Sequence, residues 1–161
     1  MPKARGLFKG DEMTDTELWA EFSEKFGIKN ASYEAWAFGC DADELAELVK
    51  NGIKTATSSA FLLYELENEL LPTVDGKYDI ILDSNENAVC IIKTSKVYVV
   101  PFCEVSEEHA YREGEGDRTL SYWRRVHEQF FTEELEAVGL CFDENMKVVC
   151  EEFELVYKNR Q

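Results

Sequence analysis

The chain has 161 residues, 45% of them hydrophobic and 31% charged, with 33 acidic against 17 basic side chains and a formal net charge of −16. That length suits one domain able to bury a core without disulfide or metal staples. The charge excludes general coating of a phosphate backbone, and no apolar run reaches the ~20 residues of a membrane helix.

Residues 1–12 are basic, carry Gly6 and Gly10, and show no periodicity, which predicts a flexible tail ahead of a single domain over residues 13–161. Met1-Pro2-Lys3-Ala4-Arg5 has no apolar stretch behind it and does not read as a secretion signal. The cysteines at 40, 90, 103, 141 and 150 are odd in number and form no Cys-x-x-Cys pair. Free thiols in a reducing cytoplasm are expected, with no structural zinc. No Walker or Rossmann glycine pattern and no Gly-x-Ser-x-Gly occurs, so neither a cofactor nor a metal is expected.

Thr14-Asp15-Thr16-Glu17 is a capping box, and Leu18, Trp19, Phe22 and Phe26 follow at helical spacing until Gly27, predicting an N-terminal helix over 13–27. Tyr33–Phe38 reads as a strand. Asp41 is placed to cap a second helix with Leu45, Leu48 and Val49 inward, which Asn51-Gly52 ends. Gly is the residue that enters the left-handed position after a helix without strain. Lys54–Ala60 reads as extended, and Phe61–Tyr64 starts a short helix that Pro72 is expected to cut off.

A β-rich middle follows. Strands are expected at Lys77–Asp83, Ala88–Thr94 and Lys96–Phe102, the first two joined as a hairpin through Ser84-Asn85-Glu86-Asn87. Ser106 is placed to cap a helix carrying His109 and Glu113, with the acidic loop Gly114–Asp117 behind it. A helix is expected over 119–131, a short one from Thr132 to Gly139, and a last strand over Val148–Tyr157. Strands scattered between helices predict an α+β fold, a small curled sheet or barrel with helices outside.

Gly52-Ile53-Lys54-Thr55-Ala56-Thr57 sets a cation and two hydroxyls at a helix-to-strand joint. Residues three apart in a strand face opposite sides, so Lys54 and Thr57 share a face only if the chain turns between them. The alternative is a solvated lysine beside a strand threonine. Glu113 lies one turn from His109 and could act as a general acid or base if burial tunes it. In a chain with 33 acidic side chains, a solvated glutamate is the plainer outcome. His109 and His127, the only histidines, could form a metal or an acid/base pair, but His127 shares a face with Trp123, Phe130 and Phe131 and reads as a core histidine. Trp36, Phe38, Tyr64, Tyr122 and Trp123 offer faces for stacking on a base, or are core.

The hexapeptide resembles the Gly-x-Lys-x-x-Thr signature of the ASCH domain (activating-signal-cointegrator homology). Trp36-Ala37-Phe38-Gly39, Lys77–Asp83, Val97–Phe102, Glu107–Ala110, Glu113–Asp117, Tyr122-Trp123 and His127 agree with it in the same order, over roughly residues 33–157. The resemblance implies a PUA-like small β-barrel of five to six strands with peripheral helices, associated with RNA. One branch of the family removes the acyl group from N4-acetylcytidine with a Lys, Thr and Glu set. By position the resemblance implies Lys54, Thr57 and Glu113 as catalytic residues. Thr57 would be the nucleophile, a neutral Lys54 its base, and Glu113 the shuttle to the leaving amine. Lys54 or backbone amides would steady the oxyanion. Trp36, Phe38, Thr55 and Trp123 are the candidate ligand contacts. The chain departs from that branch in its added N-terminal helix, an extra helix after Glu113 and the acidic Gly-rich loop.

Two functions follow. The first is binding of a nucleoside, a nucleotide or a short RNA segment with hydrolysis of the amide of an N4-acylated cytidine. The second is a non-catalytic module for RNA or a small ligand.

Overall fold

The computed structural model describes residues 12–160, so the expected tail over residues 1–12 lies outside the described residues except for Glu12. In chain order the elements are α1 (Asp15–Phe26), β1 (Tyr33–Ala37), α2 (Ala42–Lys50), β2 (Ala56–Ala60), α3 (Phe61–Leu66), β3 (Tyr78–Leu82), β4 (Ala88–Pro101), a 3-10 turn (Phe102–Glu104), α4 (Glu107–Glu113), α5 (Leu120–Glu136) and β5 (Lys147–Lys158). The fold is α+β. Its five strands form one sheet in the order β1-β3-β4-β5-β2, with β1 parallel to β3 and both β3–β4 and β2–β5 antiparallel. None of the described helices is long and apolar enough to cross a membrane.

By internal contacts the chain forms two compact units. Among the described residues, one holds 12–52, 75–93 and 154–160; the other holds 53–74 and 94–153. In the first, the Thr14 capping box closes in both directions: Glu17 N–H donates to Thr14 Oγ1 at 3.1 Å, and Thr14 N–H donates to Glu17 Oε1 at 2.9 Å. The apolar stripe of α1 then buries Leu18 and Phe22 with Ile80, Ala88 and Ile91. The turn between β3 and β4 is held by Asp83, whose Oδ1 accepts from the N–H groups of Asn85 and Asn87, both at 2.9 Å.

In the second unit, Ala60, Phe102, Trp123, Phe131, Leu135 and Val148 belong to one buried cluster. Here Ser106 caps α4, its Oγ accepting from His109 N–H at 3.0 Å, and Thr119 caps α5 by accepting from Tyr122 N–H at 3.1 Å.

Four local expectations are corrected. The strands expected at Ala88–Thr94 and Lys96–Phe102 are one 14-residue strand, β4. Exposed Ser95 interrupts the apolar pattern without breaking the strand, and its hydroxyl donates to Glu152 O on neighbouring β5 at 3.2 Å. Thr132 does not start a new helix, because α5 runs 17 residues and Leu135 continues the buried face of Phe131 one turn on. Helix α3 stops at Leu66, well before Pro72, with Asn68 left-handed at φ 55°. Asp41 sits at the N-cap position of α2 but is itself left-handed at φ 48°, and its side chain caps nothing. All five cysteines are free, with Cys90 and Cys150 buried.

Candidate active site

Lys54 lies in the short segment between Gly52 and β2. That segment is pinned on both sides: Thr55 N–H donates to Arg112 O at 2.7 Å, and Phe153 N–H donates to Thr55 O at 3.0 Å. The tether points the Lys54 side chain inward, where it is 1% exposed. Its ammonium donates to Glu113 Oε1 at 3.1 Å, to Glu113 O at 3.4 Å and to Glu115 Oε2 at 2.6 Å. Glu113 is likewise 1% exposed, whereas the Glu115 side chain is 18% exposed and forms the solvent side of the cluster.

Helix α4 puts His109 and Glu113 four residues apart on one buried face, and α5 does the same with Trp123 and His127. Glu113 Oε2 meets His109 Nε2 at 2.8 Å and accepts from Trp123 Nε1–H at 2.8 Å and from the Ser58 hydroxyl. Ser58 Oγ also lies 2.8 Å from His109 Nε2, closing a triangle of hydroxyl, imidazole and carboxylate. Glu113 Oε1 faces Lys54 and, at 3.5 Å, His127 Nε2. The His127 ring stacks on Trp123 at 4.3 Å and 14°, and its Nδ1 is 2.9 Å from Trp123 O.

These contacts set the charges. Burial works against the Glu113 carboxylate, but the Lys54 ammonium, then His127, and the hydrogen bond from His109 hold it well below the usual carboxylate range. Burial likewise works against the Lys54 ammonium, and the carboxylates of Glu113 and Glu115 outweigh it, leaving Lys54 above the ordinary lysine range. His127 is also raised, because Glu113 more than offsets its burial. The direction for Lys54 is opposite to the one a neutral side chain, implied by the family resemblance, would need.

The pH dependence follows in sign. The pKa of Glu113 is lowered on folding, so its stabilisation is full above its unfolded value of about 4.3 and lost as the pH falls through its depressed folded value. Lys54 and His127 are raised, so theirs is full below their unfolded values and lost as the pH rises through the folded ones. Stability lost by Glu113→Gln, read as the difference in urea midpoint from wild type, should be constant between about pH 5 and 6 and shrink on acidification. A difference that stays constant down to the acid transition would show that Glu113 is not the depressed carboxylate.

Of the residues singled out in the sequence, Lys54, His109, Glu113, Trp123 and His127 come together. Thr57 does not join them. In the β2–β5 pairing Thr57 sits opposite Glu151, and strand alternation turns its side chain away from that of Ser58. Thr55 spends its N–H, and its hydroxyl at 3.4 Å, on Arg112 O. Trp123 is 2% exposed, so it serves as a hydrogen-bond donor and a stacking partner for His127, not as an open platform for a base. Trp36 and Phe38 belong to the other unit, where Trp36 Nε1–H donates to Asp79 at 3.0 Å and the two rings meet edge to face at 5.0 Å. Sequence reasoning did not single out Ser58 or Glu115 as members of this cluster. The shared parity of Lys54, Ala56 and Ser58 in an extended run is the signal that carries Ser58. Among the described residues, no group of three or more His, Cys, Asp or Glu is arranged to hold a metal ion.

The five-stranded α+β fold is that of a PUA-like domain. The ASCH domain family matches residues 34–157, and the chain belongs to that family. It is similar to the crystal structure of an ASCH domain from Lactobacillus crispatus, with 31% identity and a TM-score of 0.81 over 93% of this chain and 98% of that one. It is also similar to protein EF3133 from Enterococcus faecalis, with 38% identity and a TM-score of 0.76 over 88% of this chain and 87% of that one. No curated protein matches the sequence.

Proposed function

We propose that this ASCH domain binds a nucleoside or nucleotide at the Lys54–Glu113 cluster and hydrolyses the amide of an N4-acylated cytidine. The observation that carries this is the burial of Lys54 against Glu113, two charges each 1% exposed and 3.1 Å apart. Desolvating an ion pair costs several kcal/mol per ion and adds little net stability over a packed apolar pair. Charge kept in such a place supports a chemical use. The Lys54 ammonium suits the oxyanion of a tetrahedral intermediate, and Glu113 can carry a proton to the leaving amine.

The test is turnover of a panel of N4-acylated cytidines by the wild type and by Lys54→Ala, at a temperature where circular dichroism shows both folded. The wild type is expected to release cytidine and the carboxylic acid, and Lys54→Ala to be slower by roughly 10²–10³-fold. No wild-type turnover above that of Lys54→Ala would overturn the proposal. A second reading, binding of RNA or a small ligand without turnover, draws support from Glu113. Its two oxygens face five polar groups of the protein, a closed set of partners in the resting site. The net charge of −16 restricts that binding to a local contact, competed by mononucleotides.

A further inference from the structure

Four consecutive or alternating hydroxyls follow Lys54, and their surroundings differ. Thr55 Oγ1 is 3.4 Å from Arg112 O, and Ser59 Oγ is 2.9 Å from Tyr64 OH. Thr57 lies across from Glu151 on the opposite side of the strand from Ser58. Ser58 alone reaches a carboxylate and an imidazole together, donating to Glu113 Oε2 and lying 2.8 Å from His109 Nε2. As a residue Ser58 is half-buried, whereas His109 and Glu113 are each 1% exposed. The base has orienting partners, as an activated nucleophile requires. Trp123 Nε1–H and His109 hold Glu113 Oε2, and Tyr98 OH lies 3.4 Å from His109 Nδ1.

Building on the amide hydrolysis proposed above, we infer that Ser58 is the nucleophile and Glu113 the group that takes its proton. Ser58 Oγ forms a bond to the amide carbonyl carbon as its proton passes to Glu113 Oε2. The carbonyl π pair moves onto oxygen, opposite the Lys54 ammonium. When that pair returns, the carbon–nitrogen bond breaks, and the amine leaves with the proton held by Glu113. A water then attacks the Ser58 ester and gives a proton to Glu113. The carboxylic acid leaves as Ser58 recovers its hydrogen. The sum is amide plus water to acid plus amine, with no oxidant or reductant.

The experiment uses the whole chain as wild type, Ser58→Ala and Thr57→Ala, with two readouts. One is turnover of N4-acetylcytidine. The other is covalent labelling by a fluorophosphonate, mapped by peptide mass spectrometry. Wild type should be labelled at Ser58, and Ser58→Ala should lose both label and turnover, the latter by roughly a thousandfold or more. Thr57→Ala should keep both. Loss of turnover in Thr57→Ala with retention in Ser58→Ala would overturn the inference and leave amide hydrolysis standing. Label on Ser58 without amide turnover would do the reverse, supporting the nucleophile and removing the substrate. Neither label nor turnover would overturn both. If Ser58→Ala fails to fold, the labelling site in wild type and the behaviour of Thr57→Ala still decide.

Discussion

Replacing Lys54 with methionine is expected to lower the unfolding free energy by about 3–5 kcal/mol, read from urea titrations near pH 7. Methionine fills much of the space of the lysine stem, so the loss is not a cavity effect. It arises because Glu113, buried and anionic, loses the ammonium 3.1 Å away that holds its charge. Glu115, at 2.6 Å from the same ammonium, loses its partner too, but its 18% exposed side chain recovers water. A double-mutant cycle separates the pair from the site around it. Glu113→Gln alone should also be costly, since Lys54 and His127 are then left with less compensating charge. The double variant should be less destabilised than the sum of the single ones, by roughly 0.5–3 kcal/mol. Strict additivity would show that the two groups do not depend on each other.

Gly114→Ala is expected to cost more than 2 kcal/mol and to disable the site, whereas Gly52→Ala should cost only about 1 kcal/mol. Both glycines have φ of +76°, so the intrinsic strain of a side chain in the left-handed region is the same. Their surroundings differ. A Cβ on Gly52 would meet nothing within 4 Å. One on Gly114 would lie 2.6 Å from Ile53 O and 2.9 Å from Ile53 C, backbone atoms that cannot rotate away. Ile53 precedes Lys54, and Gly114 follows Glu113, so relieving the clash must part the two segments that hold the ion pair. Thermal melts of the two variants, with turnover of N4-acetylcytidine as the second readout, check this. Equal losses at both positions would show that the backbone conformation, not the approach of Ile53, is what these glycines serve.

Gly52 thus has a local reason to be glycine, the end of α2, and that reason is legible in Asn51-Gly52. Gly114 looks the same in the sequence, another glycine after a helix. Its close approach to Ile53 joins residues about sixty positions apart, which no local pattern encodes.

Local signals governed what the sequence by itself determined. Thr14 and Ser106 cap helices because a hydroxyl there satisfies N–H groups within three residues. The spacing of Leu18 and Phe22 marks the buried face of α1 because helical periodicity is a property of the chain itself. The ordered set of motifs around Lys54 and Glu113 was enough to place the chain in the ASCH family and predict an α+β, PUA-like fold. Tertiary structure decided the rest. Strand β4 runs through Ser95 because it is hydrogen-bonded between β3 and β5, and α5 runs through Thr132 because Leu135 has a core to enter. The charge on Lys54 was decided by two carboxylates some sixty residues away. So was the choice between Thr57 and Ser58. They are adjacent hydroxyls in the sequence, but strand alternation sends one side chain toward Glu113 and the other to the opposite face.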